Sequence, residues 1–220
     1  MTNLLFDFDG TLHDTLRIYA PAFRAAYTYL TGKGLAAPRA FRDEALGAWL
    51  GYSSRDMWNT FMPGLPDAEK GHCSRLIGAE MLSALRAGKG RLYDGAEDAL
   101  RALKSDGYNL IFLSNCKLSY MQESIRQFSL AQYFTSFYCT EQYDFAPKHE
   151  IFRDIAGINA GDFIAIGDRL FDIQLARQNG FPSIGCRYGY GQADELADAD
   201  AAVDSPRDIA AAVRRLSAEA

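Results

Sequence analysis

Two aspartates, Asp7 and Asp9, stand two positions apart at the end of the apolar run in "LLFDFDGTLHDT". Carboxylates beside a buried strand are costly unless a cation or hydrogen bonds compensate them. Further acids and hydroxyls recur at the ends of later apolar runs. Ser114 and Asn115 follow "LIFL", and Gly167, Asp168 and Asp172 follow "FIAI". Three strand-end aspartates suit a hard divalent cation, and Mg²⁺ in particular takes one or two carboxylates, waters and phosphate oxygens. Phosphoryl transfer asks a protein mainly for positioning and charge neutralisation. One aspartate could carry the phosphoryl group as an acyl phosphate, dividing a hard step into two. The acid two residues on could protonate the leaving oxygen and then deprotonate water. Backbone amides of the turn at Gly10 and Thr11, with the Ser114 hydroxyl, suit the phosphoryl oxygens. A lysine is then required, because about three carboxylates and a dianion in one pocket disfavour joint ionisation. Lys148, at the head of a helical segment, is the candidate; Lys117, just after Ser114 and Asn115, is the second.

Taken alone, the strand-end pair is equally compatible with an Asx-bonded turn or with the metal site of a nucleotide-sugar transferase. The Gly167–Asp168–Asp172 element tips the balance toward catalysis. An EF-hand is excluded, because its ligand spacing and terminal glutamate are missing.

These residues need a scaffold that brings strand ends together. Short apolar runs start at Leu4, Asn109, Phe134, Asp162 and Pro182, each rich in β-branched or aromatic residues. Helical patterns lie between them, two of them closed by Gly107 and Gly180. The alternation predicts a parallel sheet covered by helices on both faces, an α/β Rossmann-like core. In such sheets ligands bind at the carboxyl ends of the strands, where strand order reverses. From Leu16 to Ala87 the alternation stops. Amphipathic helices are expected over residues 16–30, 38–50, 54–62 and 67–87, with Pro38 in a first turn and Ser53 or Ser54 as a cap. Residues 1–14 and 91–220 are therefore expected to form the core, and 15–90 an inserted α-helical cap domain.

Composition narrows the partners. With 220 residues, 48% hydrophobic, the chain can bury a real core, and its net charge of −5 with no basic stripe disfavours nucleic acid. No run of about 18 apolar residues suggests a membrane span. The four cysteines, Cys73, Cys116, Cys139 and Cys186, show no CxxC spacing and read as core thiols of a cytoplasmic protein. Oligomeric state is not legible.

The segments "DFDGTLHDT", "FLSN", "APKHEIF" and "IGDRLFD" resemble the four motifs of the haloacid dehalogenase-like hydrolases. The tail from Pro182 resembles that of their phosphoglycolate phosphatase-like branch, whose small helical cap matches the insertion. The resemblance implies an Mg²⁺-dependent phosphatase of a small phosphorylated metabolite, with phosphoglycolate as leading substrate. Alternatives are a phosphomutase of the β-phosphoglucomutase kind, or a pyrophosphatase or nucleotidase of the same superfamily. It makes Asp7 the nucleophile and Asp9 the general acid/base. It assigns the metal to Asp7, the Asp9 carbonyl and Asp168, with Asp172 orienting the water shell or the lysine, and the phosphoryl group to Ser114 and Asn115. An acid at Asp9 speaks against carbon–halogen cleavage.

Two departures stand out. The expected lysine register holds Ala146, so Lys148 is read as supplying the charge from a shortened turn, with Lys117 as runner-up, and Arg169 replaces a common serine or threonine without an assigned role. Arg55 resembles a cap arginine that reaches toward substrate. Asp14 and Thr15 sit at the expected hinge. His13 reads as a linker residue there, His149 as a helix-start residue. Trp49, Tyr52, Trp58 and Phe61 read as cap core, and Gly189 and Gly191 as turn glycines.

Overall fold

The computed structural model describes residues 1–219. Six parallel strands run through it: β1 (Thr2–Phe6), β2 (Asn109–Ser114), β3 (Ser136–Cys139), β4 (Asp162–Gly167), β5 (Ser183–Cys186) and β6 (Ala201–Val203). Their order is β3-β2-β1-β4-β5-β6, so the direction of winding reverses at β1. Asp7 therefore leaves the sheet at the crevice where such folds bind ligands. Side chains alternate between faces. Leu4 and Phe6 pack on one side with Leu110, Phe112 and Ile164, and Leu5 on the other with Ile111, Leu113 and Ala165.

From Leu4 to Phe6 both faces of β1 meet apolar neighbours, so alternation between faces does not by itself set the register. A polar cluster at the amino-terminal edge supplies what the pattern lacks. Buried Asn3 donates to the carbonyls of Ala160 and Asp162. Asn109 donates to Asn3 Oδ1 at 2.6 Å and to Asn159, and Thr135 donates to Asn109. The cluster ties β1, β2 and the approach to β4 together in one alignment.

Four helices follow β1: α1 (Leu16–Gly32), α2 (Asp43–Gly47), α3 (Ser54–Phe61) and α4 (Asp67–Arg86). They enclose their own apolar cluster around Phe23, Leu46, Trp58 and Cys73. The helix expected over 38–50 is shorter than its pattern. Pro38 lies in irregular chain, and Phe41 turns in against Tyr27 and Phe23. Ser53 caps α3 by accepting from the Asp56 amide. The two chain passages joining this insertion to the sheet pair with each other: Tyr93 N–H donates to Leu12 O and Asp14 N–H to Arg91 O, both at 2.9 Å. The remaining helices flank the sheet: α5 (Ala96–Ser105), α6 (Leu118–Gln127), α7 (Lys148–Ile158), α8 (Leu170–Asn179) and α9 (Ile209–Glu219). All four cysteines are buried and free.

Candidate active site

The loop after β1 is wound around one carbonyl. Phe8 O accepts the amides of Thr11, Leu12 and His13, which turns the chain back over Asp7 and Asp9. Gly10 occupies a left-handed conformation at φ +88°, and a Cβ there would sit 2.2 Å from Asp168 Oδ2. The close approach of two loops thus demands glycine. The same holds on the far side of Asp168, where a Cβ on Gly189 would lie 2.3 Å from the aspartate's own Cβ. Gly189 is thus a packing requirement as much as a turn residue.

Asp7, Asp168 and Asp172 converge. Each is buried, and one carboxylate oxygen from each lies within 4.8 Å of the others. Lys148 Nζ donates to Asp7 Oδ1 and Asp172 Oδ1, both at 2.7 Å. Asp172 Oδ2 also accepts the Arg169 amide at the start of α8. Asp168 is held by the Tyr190 amide at 2.6 Å and by Thr11 Oγ1 at 3.4 Å. Burial, opposed by Lys148 and reinforced by Asp172, lifts the Asp7 carboxyl to about 7. Burial, with the charge of Asp7, pushes Asp168 well above the usual carboxylate range. Burial works to lower Lys148, but Asp172 and Asp7 outweigh it and hold the ammonium above its ordinary value. One cation does not balance three buried carboxylates, so the cluster has the charge and the all-oxygen donor set that suit a hard divalent ion.

Asp9 is held differently. Its Oδ1 accepts from Thr15 Oγ1 at 2.6 Å and from the Tyr120 hydroxyl at 2.8 Å. Its carboxylate is thus drawn away from the three-aspartate cluster, and only its main-chain carbonyl is left for the expected metal role. Beneath it lies His13, fully buried and stacked on Phe8 with ring centroids 5.0 Å apart. With both hydroxyl protons directed at Asp9, His13 Nδ1 is the donor toward Thr15 Oγ1 at 2.8 Å and Tyr120 at 3.1 Å. His13 is therefore part of the site's support rather than a plain linker residue.

Other expected residues fall in different places. Ser114 is buried and lines a cavity of about 10 Å³ together with Asp7, Asp9, Asn115, Lys148 and Asp172. Gly10 and Thr11 do not line it; they sit behind Asp168 and shape its surroundings. The Asn115 side chain donates to Gly51 O at 2.9 Å, so it bridges from the end of β2 to the helical insertion. Lys117 is separate from the carboxylates, in the wall of a larger neighbouring cavity. Arg55 is exposed and lines neither cavity. Arg169 acquires a place instead: it pairs with Glu195 at 2.9 Å, donates to the carbonyls of Ala48 and Leu50, and lies over the Tyr52 ring. Of the four aromatics read as cap core, only Trp58 is fully buried; Trp49 and Tyr52 present surface to the larger cavity. Asp14 pairs with Arg17 at 2.6 Å.

The family model of the haloacid dehalogenase-like hydrolases matches residues 4–186, a span that holds Asp7, Asp9, Asp168 and Asp172. The chain belongs to that family. It is 25% identical over 205 residues to a phosphoglycolate phosphatase of Psychrobacter arcticus, covering 88% of this chain and 86% of the relative. It is 33% identical over 110 residues to a 5′-nucleotidase of Pseudomonas aeruginosa, covering 48% and 50%. Among solved structures, a predicted phosphatase from Clostridium acetobutylicum superposes with a TM-score of 0.81 at 22% identity, covering 98% and 99%. CbbY from Rhodobacter sphaeroides, in complex with phosphate, gives 0.75 at 20% identity, covering 94% and 95%. This hydrolase thus shares its fold over nearly its whole length with those structures. Among the described residues no helix is long and apolar enough to cross a membrane.

Proposed function

We propose that this hydrolase is an Mg²⁺-dependent phosphomonoesterase of a small phosphorylated metabolite, working through an aspartyl phosphate on Asp7. The observation that carries the reading is the convergence of Asp7, Asp168 and Asp172 around one lysine, with a second acid held apart by its own hydrogen bonds. Asp7, Asp168 and Asp172, with the Asp9 carbonyl, would hold the ion, which supplies charge neutralisation to the phosphoryl oxygens. The Asp7 carboxylate attacks phosphorus while the bond to the leaving oxygen breaks, and that oxygen takes the Asp9 proton. Asp9, now ionised, then takes a proton from water as the water oxygen attacks phosphorus and Asp7 is released. Lys148 favours the ionised form of Asp7 and aligns it, and Ser114 offers a donor to the phosphoryl group. Thr15 and Tyr120 fix the Asp9 carboxylate, which makes them positioning residues.

The pocket of about 10 Å³ over the acids has room for no more than about one water, so a phosphoryl group enters only as the cap loop at Gly51 moves. The curated relatives named for phosphoglycolate make it the reference substrate. The test is Asp7→Asn. It should cost at least about a thousandfold in release of phosphate from an aryl phosphate, with the circular dichroism spectrum unchanged. Wild-type turnover by that variant, or full activity after exhaustive chelation, overturns the mechanism.

A further inference from the structure

A cavity of about 310 Å³ opens beside Asp9, between the helical insertion and the start of α6. It shares Asp9, Asn115 and Gly51 with the small pocket over the acids. On the phosphatase reading above, on which this inference rests, Asp9 protonates the leaving oxygen. The alcohol part of the substrate must then occupy this cavity.

Its size and lining argue against a two-carbon alcohol. Glycolate has five non-hydrogen atoms; even at the ~30 Å³ that a water takes in the liquid, it would fill at most about half of the space. The walls are those of a ring-binding site. Trp49 and Tyr52 stand edge to face with centroids 6.2 Å apart, and Met57 and Ile77 continue the apolar surface. The polar lining joins two cations, Arg75 and Lys117, to groups that can donate as well as accept, the hydroxyls of Ser53, Ser54, Ser74 and Ser119 and the Asn115 amide. Arg75 and Lys117 form no ion pair among the described residues, and apart from Asp9 no carboxylate lines the cavity. Both cations donate and neither accepts. A ligand satisfying this lining has a planar apolar body with acceptor atoms at its edge.

We infer that the substrate is a phosphate monoester whose alcohol is nucleoside-sized and bears a ring with hydrogen-bond acceptors. Nucleobase carbonyls and ring nitrogens meet that description, plain arenes do not, and glycolate fills too little of the space. Gly78 offers a way to test the occupancy. It lies on the α4 face of the cavity, and a Cβ there meets only Lys117 Nζ, at 3.6 Å. A larger side chain at this helical position can therefore enter the cavity without disturbing backbone.

The experiment compares kcat/KM of the Mg²⁺-loaded protein with 5′-AMP, 5′-UMP, 1-naphthyl phosphate and 2-phosphoglycolate. At least one nucleotide should exceed 2-phosphoglycolate and 1-naphthyl phosphate by tenfold or more. In Gly78→Leu the ratio of nucleotide to phosphoglycolate turnover should fall at least tenfold, with the melting temperature retained. Phosphoglycolate equalling or exceeding both nucleotides overturns the inference and leaves the phosphatase reading standing. So does an unchanged ratio in Gly78→Leu. Naphthyl phosphate outrunning both nucleotides overturns the acceptor requirement, and with it the inference. Phosphate released from none of the four sinks the phosphatase reading and this inference together.

Discussion

Removing the ammonium of Lys148 isolates the electrostatics of the site. Lys148→Met keeps most of the side-chain volume but leaves Asp7 and Asp172 buried without the cation each now meets at 2.7 Å. Breaking one partner out of a buried ion pair costs about 3–5 kcal/mol. For a chain of this size that is a fall of roughly 6–20 °C in melting temperature. The sign of the pH dependence follows from Asp7. Its folded value, about 7, is already far above that of an ordinary aspartate despite the lysine. A carboxyl raised in the folded state takes up a proton on folding, so its burden grows with pH until the folded value is passed. Without Lys148 that value moves higher still, and the variant keeps paying above pH 7 where the wild type has stopped. The stability gap should therefore widen by about 1.4 kcal/mol per pH unit above 7 for each additional proton taken up. Urea denaturation in chelator at pH 7, 7.5 and 8 measures it, with Lys117→Met as the control that touches no carboxylate of the cluster. A gap that is flat or narrows as pH rises refutes the reasoning, as does a Lys117 variant that behaves like the Lys148 one.

Metal binding should carry the same proton in reverse. Since burial lifts Asp7 to about 7 and also raises Asp168, the apparent Kd for Mg²⁺, followed by thermal shift, should rise at least about tenfold per pH unit below 7; equal affinity at pH 5.5 and 8 would count against Asp7 as a ligand. Thr15→Val and Tyr120→Phe each delete one O–H donor to Asp9. Bonds to charged groups are worth about 1.5–3 kcal/mol, so kcat should fall roughly 10–150-fold with KM little changed; an unchanged kcat in both variants removes the positioning role. Arg169→Ala strips the Ala48 and Leu50 carbonyls of their donor and leaves Glu195 unpaired. Amide exchange at residues 48–53 should quicken at least tenfold while β1 and β4 keep their protection, and unchanged exchange in that loop would deny Arg169 its hold on the insertion.

The acids were readable because each closes an apolar run, and a run fixes where its last residue emerges. Asp7, Ser114 and Asp168 follow from that rule alone. Tyr120 does not: 111 residues separate it from Asp9, and only the packing of α6 against the first loop joins them. His13 carries no ligand spacing, so its burial under Phe8 and Phe128 could not be seen in the chain. Thr15 carried a faint signal, a hydroxyl six residues after the acid in the same turn. Arg169 was visible as an oddity, but the carbonyls it holds, those of Ala48 and Leu50, lie in a loop more than a hundred residues earlier. The short strand β6 offers three residues, too few for a period to register. Around Pro38 the helical pattern comes from Phe41, which is apolar because it meets other rings, not because it lies on a helix.

The asparagine cluster at the amino-terminal edge bears on how tolerant this enzyme is to change. Asn3 lies four residues before Asp7, about 13 Å away along an extended strand. It fixes how far β1 protrudes beyond β4, and therefore whether Asp7 and Asp168 stand level. Alignment of the chemistry is set from the opposite rim, by uncharged groups that never meet a ligand. The catalytic rim is thereby free to vary its loops, and the helical insertion its lining, without losing the calibration between the two aspartates. A lineage built this way can change what it acts on and keep how it acts.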